Sequence, residues 1–174
     1  MSNYKKKLHD IKAFVFDVDG VFTDGTVLVT ESGDLLRAHH AKDGYAIRCA
    51  VNLGYPIGII TGGSSPTITK RFEMLGVTDV YLFARTKMES FRHFCAKYGL
   101  DPSQVLYMGD DIPDLDVMHA CGLPCCPADA APEVRDAAQY ISLYAGGKGC
   151  VRDVVEQTLR LHGKWNDHTQ VISS

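Results

Sequence analysis

Short apolar runs alternate with amphipathic stretches along most of this chain. The runs Ala13–Phe16, Ile57–Ile60, 80–83, Val105–Met108 and Leu123–Cys126 are apolar throughout and too short for helices. That pattern predicts strands buried on both faces. Between the first two runs, residues 44–53 place Ile47, Ala50 and Val51 on one face of a helix. A second helix starts at Ser65-Pro66, a capping residue followed by proline at the first helical position, and stops before Gly76. A third covers 88–98 and ends at Gly99, a fourth runs from after Asp111 to near Gly122, and a last one spans Cys150–Leu161. Alternating strands and helices predict an α/β fold with a parallel sheet covered by helices on both faces. No repeat, low-complexity segment or linker interrupts the pattern, so residues 1–174 read as a single domain.

One segment, about 21–40, carries no helical period. Residues 26–29 and 35–38 flank Glu31-Ser32-Gly33-Asp34, which reads as a β-hairpin with a glycine-bearing loop. It projects above the end of the first strand as a flap that excludes water, a seat for a partner chain, or simple decoration.

Composition narrows the setting. The chain has 174 residues, 45% of them hydrophobic, and a formal net charge of −3, which gives no reason to expect nucleic acid as a partner. No window approaches the roughly 20 apolar residues of a membrane span. Three adjacent lysines near the N-terminus are not followed by an apolar stretch, so no secretory signal is expected. The cysteines Cys49, Cys95, Cys121, Cys125, Cys126 and Cys150 lie mostly among apolar neighbours and form no Cys-x-x-Cys. Buried free thiols in a reducing cytoplasm are expected, without zinc or disulfides.

The candidate chemistry sits at strand ends. Asp17-Val18-Asp19-Gly20-Val21 follows the first strand, at the carboxyl edge where open α/β sheets bind ligands. Two acids there suit a nucleophile and a proton carrier, although calcium loops and plain turns share the pattern. Thr61-Gly62-Gly63-Ser64 after the second run offers a hydroxyl and backbone N–H groups ahead of a helix, a possible phosphate cradle. Lys87 follows the third run, where a solvated surface charge would look the same. Gly109-Asp110-Asp111-Ile112-Pro113-Asp114 follows the fourth. Its acids suit magnesium, which takes one or two carboxylates plus phosphate, while Asp111 also suits a helix cap. Gly146-Gly147-Lys148-Gly149 precedes the last helix, and Lys148 and Arg152 add positive charge to a helix N-terminus that attracts anions.

In this order the four strand-end motifs resemble those of the haloacid dehalogenase superfamily of phosphohydrolases. The resemblance implies a three-layer, Rossmann-like fold and roles by position. Asp17 becomes an aspartyl-phosphate, and Asp19 protonates the leaving oxygen and then activates water. Thr61 and Lys87 bind the phosphoryl group. Asp110 ligates Mg2+ with the Asp17 carboxylate and the Asp19 carbonyl, supported by Asp111 and Asp114. Thr61 to Lys87 leaves room for only one helix and one strand, and only the hairpin follows Asp19, so the chain resembles the members without a cap domain.

A finer resemblance is to the 3-deoxy-D-manno-octulosonate (KDO) 8-phosphate phosphatases. It rests on Asp17-Val-Asp-Gly-Val-Phe-Thr-Asp-Gly, Lys42-Asp-Gly-Tyr-Ala-Ile-Arg, Ile60-Thr-Gly, Leu75-Gly-Val-Thr-Asp-Val-Tyr, Met108-Gly-Asp-Asp-Ile-Pro-Asp and Ala145-Gly-Gly-Lys-Gly-Cys-Val-Arg-Asp. It implies a cytoplasmic homotetramer whose hairpins gather into a barrel, acting in lipopolysaccharide precursor synthesis. It also places Lys42, Gly62, Gly63, Lys148 and Arg152 near the sugar acid, and gives the tail after Gly163 a part in closing sites. Relatives often carry Arg where this chain has Gly63, and Arg where it has Lys42. Nine-carbon (nononate) 9-phosphates, such as sialic-acid-type precursors, are the alternative substrates. Their enzymes tend to carry an acid at the Gly63 position, so its absence points to the eight-carbon sugar acid. A further alternative is a non-catalytic oligomerisation module, the role such domains take beside sugar-nucleotide synthetases.

Overall fold

The computed structural model describes residues 4–165. A six-stranded parallel sheet runs β5(Asp79–Tyr81)-β4(Ile57–Ile60)-β1(Ala13–Phe16)-β6(Val105–Met108)-β7(Leu123–Cys126)-β8(Tyr140–Ile141). β1 is central. Phe14 pairs with Ile57 on one side and Leu106 on the other, so the carboxyl ends of three strands converge beside Asp17. Every residue of β1, β4, β6 and β7 is buried, as continuous apolar runs require in a doubly covered sheet.

Alternation along β1 sends side chains to two cores. Phe14 and Phe16 meet Ile47 of α2(Ala41–Asn52), Phe72 of α3(Pro66–Glu73), Leu8 of α1(Tyr4–Asp10), and Val154 and Leu159 of α7(Cys150–Leu161). Val15 faces Phe91 and Phe94 of α4(Lys87–Tyr98), Val117 of α5(Leu115–Ala120) and Val134 of α6(Pro132–Ala137). Between β1 and α2 lies only a hairpin, β2(Leu28–Val29) paired antiparallel with β3(Leu35–Leu36); between β4 and α4 lie only α3 and β5.

Several elements differ from the sequence expectation. α2 begins at Ala41, three residues early, and the segment after Asp111 is a 3₁₀ turn, Ile112–Asp114, before α5. Ser65 stands at the N-cap of α3, but its hydroxyl meets Thr67 Oγ1 at 2.7 Å instead of a backbone N–H. The third strand spans Asp79–Tyr81 and not 80–83, because the chain turns out of the sheet at Phe83, whose φ is +54°. α1, α6 and β8 were not expected; each is short, and burial of Leu8, Val134 and Tyr140 against the cores holds them. α4 ends as expected, with Gly99 in a left-handed C-cap at φ 61°.

Candidate active site

Asp17 leaves β1 with its N–H donating to Met108 O at 3.0 Å, which fixes it over the junction with β6. Its Oδ1 accepts from the Val18 N–H (2.7 Å) and its Oδ2 lies 2.8 Å from Lys87 Nζ. Lys87, the first residue of α4, is buried and also donates to Asp114 Oδ1 at 2.7 Å. Asp114 is completely enclosed. The Tyr107 hydroxyl donates to its Oδ1 (2.6 Å), and the N–H groups of Asp110 (3.0 Å) and Asp111 (3.2 Å) donate to its Oδ2. Asp111 caps the 3₁₀ turn by accepting from the Ile112 N–H at 2.8 Å, and stays outside the acid cluster.

Asp17, Asp110 and Asp114 each offer a carboxylate oxygen within 4.8 Å of the others. Burial and Asp114 push the Asp17 carboxyl up to about 7, against the pull of Lys87. Burial, Asp17 and Asp114 likewise raise Asp110 to about 7. Burial alone would lower Lys87, but Asp17 and Asp114 outweigh it and raise its pKa. Two buried acids and a half-buried third against one lysine leave surplus negative charge. Backbone is drawn tightly around them: a Cβ on Gly20 would lie 1.9 Å from Asp110 Oδ2, and one on Gly109 would lie 2.3 Å from Asp114 Cγ. The residues therefore fit a divalent cation. Each oxygen of Asp114 already accepts two hydrogen bonds, whereas each oxygen of Asp17 has a single donor, which leaves Asp17 and Asp110 as the carboxylates placed to hold it.

Asp19 points elsewhere. Arg37, just beyond β3, grips it with two charge-assisted bonds, Nε to Oδ1 at 2.6 Å and Nη2 to Oδ2 at 3.1 Å. The Arg37 side chain is only 6% exposed although the hairpin that carries it stands in solvent. Sequence reasoning missed Arg37. Its signal is that it is the single cation in 21–38, at alternate spacing from Leu35 on a strand. Thr61 is buried at the end of β4, and its Oγ1 accepts from the Gly63 N–H at 3.0 Å. Gly62 is open, with nothing within 4 Å of where a Cβ would stand, whereas a Cβ on Gly63 would sit 3.6 Å from Arg37 Nη2.

Lys42, Lys148 and Arg152 come together in a cluster of their own. They line a cavity of about 480 Å³ with His40, Tyr144 and Arg160, and none of the three clustered acids lines it. Arg152 is already engaged: its Nε lies 2.9 Å from Glu156 Oε2, and its guanidinium sits 5.3 Å from the Trp165 ring centre. The α7 N-terminus, expected to attract a ligand anion, holds the protein's own carboxylate, with the Arg152 N–H donating to buried Asp43 Oδ1 at 2.8 Å. The glycine loop does not present free N–H groups at Gly146 and Gly147. Gly146 donates to Asp129 (2.9 Å) and Gly147 to Val21 O (2.9 Å). These glycines allow close approach instead, since a Cβ on Gly146 would lie 2.0 Å from Gly20 O, behind the acid loop. Of the tail, Trp165 is buried and meets Tyr45 edge-on, while 166–174 lie outside the described residues.

A family model described as haloacid dehalogenase-like hydrolase matches residues 44–122. The chain is 36% identical over 161 residues to the Escherichia coli K12 3-deoxy-D-manno-octulosonate 8-phosphate phosphatase KdsC, covering 92% of this chain and 86% of that one. The chain belongs to the haloacid dehalogenase-like hydrolases. Among solved family structures, the corresponding Yersinia pestis phosphatase superposes with a TM-score of 0.91 at 33% identity, covering 94% of this chain and 88% of that chain. The Moraxella catarrhalis phosphatase, in complex with magnesium, phosphate and KDO, gives 0.92 at 28% identity and 97% coverage of both chains. Both neighbours share the capless α/β architecture. Among the described residues no helix is long and apolar enough to cross a membrane.

Proposed function

We propose that this family member hydrolyses KDO 8-phosphate to KDO and inorganic phosphate, with Mg2+, through an aspartyl-phosphate. The observation that carries the reading is the Asp17–Lys87–Asp114 array at the carboxyl end of the central strand, with Asp110 beside it. Relatives that align along nearly the whole chain bear that activity in their names, and one holds magnesium, phosphate and KDO together.

The chain's own groups account for the steps. An Asp17 oxygen attacks phosphorus as the ester P–O bond breaks, and Asp19 gives its proton to the departing oxygen. Water then attacks the phosphoryl group, Asp19 takes the water's proton, and the P–O bond to Asp17 breaks to restore the carboxylate. Lys87 and Thr61 hold phosphoryl oxygens, and Lys87 stays oriented because Asp114 grips its other side. Asp17, Asp110 and the Asp19 carbonyl would hold the magnesium, which supplies positive charge for the phosphoryl oxygens when bound. Arg37 fixes the Asp19 carboxylate until the phosphate arrives to compete for the guanidinium. It also occupies space beside Gly63, so it takes the place of a cation that position 63 lacks. The absence of an acid at Gly63 favours the octulosonate over a nononate 9-phosphate.

The assembly belongs to the same reading. Leu28 (64%), Val29 (69%) and Leu36 (49%) on the hairpin are exposed, a liability that pairing of hairpins in a homotetramer removes. Six free cysteines, five of them buried, accord with a reducing cytoplasm. The direct test of the chemistry is Asp17→Asn. Phosphate release from KDO 8-phosphate should fall below detection while far-UV circular dichroism stays unchanged. Substantial turnover by that variant sinks the nucleophile assignment, and no turnover by the wild type would favour the oligomerisation module over the catalytic reading.

A further inference from the structure

The loop after β5 holds a residue that the reaction above does not use. Phe83 has φ +54°, a backbone conformation that a bulky side chain rarely adopts and that glycine adopts freely. Its ring is 67% exposed, while Leu82 and Ala84 on either side pack against the two cores. The strained conformation therefore brings little packing in return from its own chain. Bulky residues persist in such conformations where the surroundings enforce them, and they cluster at ligand clamps.

The surroundings here are the phosphoryl loop. The Phe83 N–H donates to Gly63 O at 3.1 Å and the Ala84 N–H to Thr61 O at 3.0 Å. Four residues later Lys87 reaches Asp17. Arg37 also stands beside Gly63, 3.6 Å from where a Gly63 Cβ would be, and Arg37 holds Asp19. Asp19 serves the departing oxygen, so the row Asp19, Arg37, Gly63, Phe83 marks the side on which the organic part of the substrate lies. Ligand sites combine a few placed polar groups with apolar and aromatic walls. This rim has the polar groups in Asp19 and Arg37, and one aromatic ring.

We propose that Phe83 is a specificity-determining residue whose ring forms the apolar wall against the carbon skeleton of the sugar phosphate. The claim rests on the phosphatase reading above and adds the contact that selects the leaving group. A site without a cap domain has few other ways to cover that skeleton.

The test compares Phe83→Gly and Phe83→Tyr with the wild type on KDO 8-phosphate and on glycerol 3-phosphate, which is too short to reach the ring. Phe83→Gly should raise KM for KDO 8-phosphate about tenfold with little change in kcat. It should leave glycerol 3-phosphate kinetics and the sedimentation coefficient unchanged. Its Tm should equal or exceed the wild type's, because glycine relieves the strained conformation. Phe83→Tyr should keep the wild-type KM. An unchanged KM in Phe83→Gly, or an equal loss on both esters, overturns the proposal. So does a KM rise that appears only together with dissociation of the assembly, which would make the ring a subunit contact. If the wild type prefers another sugar phosphate to KDO 8-phosphate, the substrate reading fails, and the same comparison with glycerol 3-phosphate on that preferred substrate decides the Phe83 claim.

Discussion

Arg37 and Asp19 show how a single long-range pair shapes the site. Two bonds of 2.6 and 3.1 Å hold the acid proposed to serve the leaving group, and both come from the hairpin stem. Charge-assisted bonds of this kind contribute about 1.5–3 kcal/mol each. Arg37→Ala should therefore lower the unfolding midpoint by several degrees and lower kcat/KM for KDO 8-phosphate about tenfold or more, by removing the guanidinium that orders Asp19 before the phosphate takes its place. A kcat/KM within twofold of wild type in a steady-state phosphate assay would show that Asp19 needs no such anchor. Asp17, Lys87 and Asp110 were legible in the sequence as neighbours, because Asp17 and Asp110 follow adjacent strands and Lys87 opens the helix after a third. Arg37 was not, because its role depends on where the hairpin bends back. The cap that Asp43 gives to α7 was equally hidden, since 109 residues separate it from Arg152. The same contact fills the α7 N-terminus from within, while the Arg152 side chain turns toward Glu156.

At the scale of elements, legibility followed burial. β1, β4, β6 and β7 matched their apolar runs because both faces are covered, so every position is hydrophobic. α7 matched to the residue, with Val151, Val154, Val155 and Leu159 buried along one face. α1, α6 and β8 carry only a few buried residues each, too few for a period to show, and packing against the sheet decides them. The hairpin was legible from its glycine-bearing loop, and its exposed side chains carry a consequence. Val29 is largely exposed and Val27 only half-buried. Replacing both with Asp places one charge just before and one within a strand only two residues long. If hairpins hold the assembly, this variant should sediment as a smaller species and show a raised KM for KDO 8-phosphate while keeping its fold. A wild-type sedimentation profile for the variant would remove the hairpin from the interface.

For the molecule as a whole, the acid cluster couples metal, pH and stability. Asp17 and Asp110 have an ordinary pKa of 3.8 and are raised to about 7 in the fold. The metal-free fold therefore binds protons that the unfolded chain has released. The contribution of these two groups to its stability is full below about pH 4 and declines as pH rises to about 7. A divalent cation takes the protons' place, so magnesium should stabilise strongly at pH 8 and little at pH 4.5. At a hundredfold excess over its Kd, a ligand contributes about 2.7 kcal/mol. For a chain of this size that corresponds to a Tm rise of about 5–10 °C at pH 8. Calorimetry with and without EDTA checks this, and an equal rise at both pH values would contradict it. The central claim is that this cluster serves a phosphorylated sugar acid, and one measurement tests it most directly: kcat/KM for KDO 8-phosphate against hexose 6-phosphates, in magnesium, on the same wild-type preparation. The account predicts a preference of tenfold or more for the sugar acid, which needs only about 1.4 kcal/mol from one or two good contacts. Hexose phosphates turned over as well as or better than KDO 8-phosphate would contradict it.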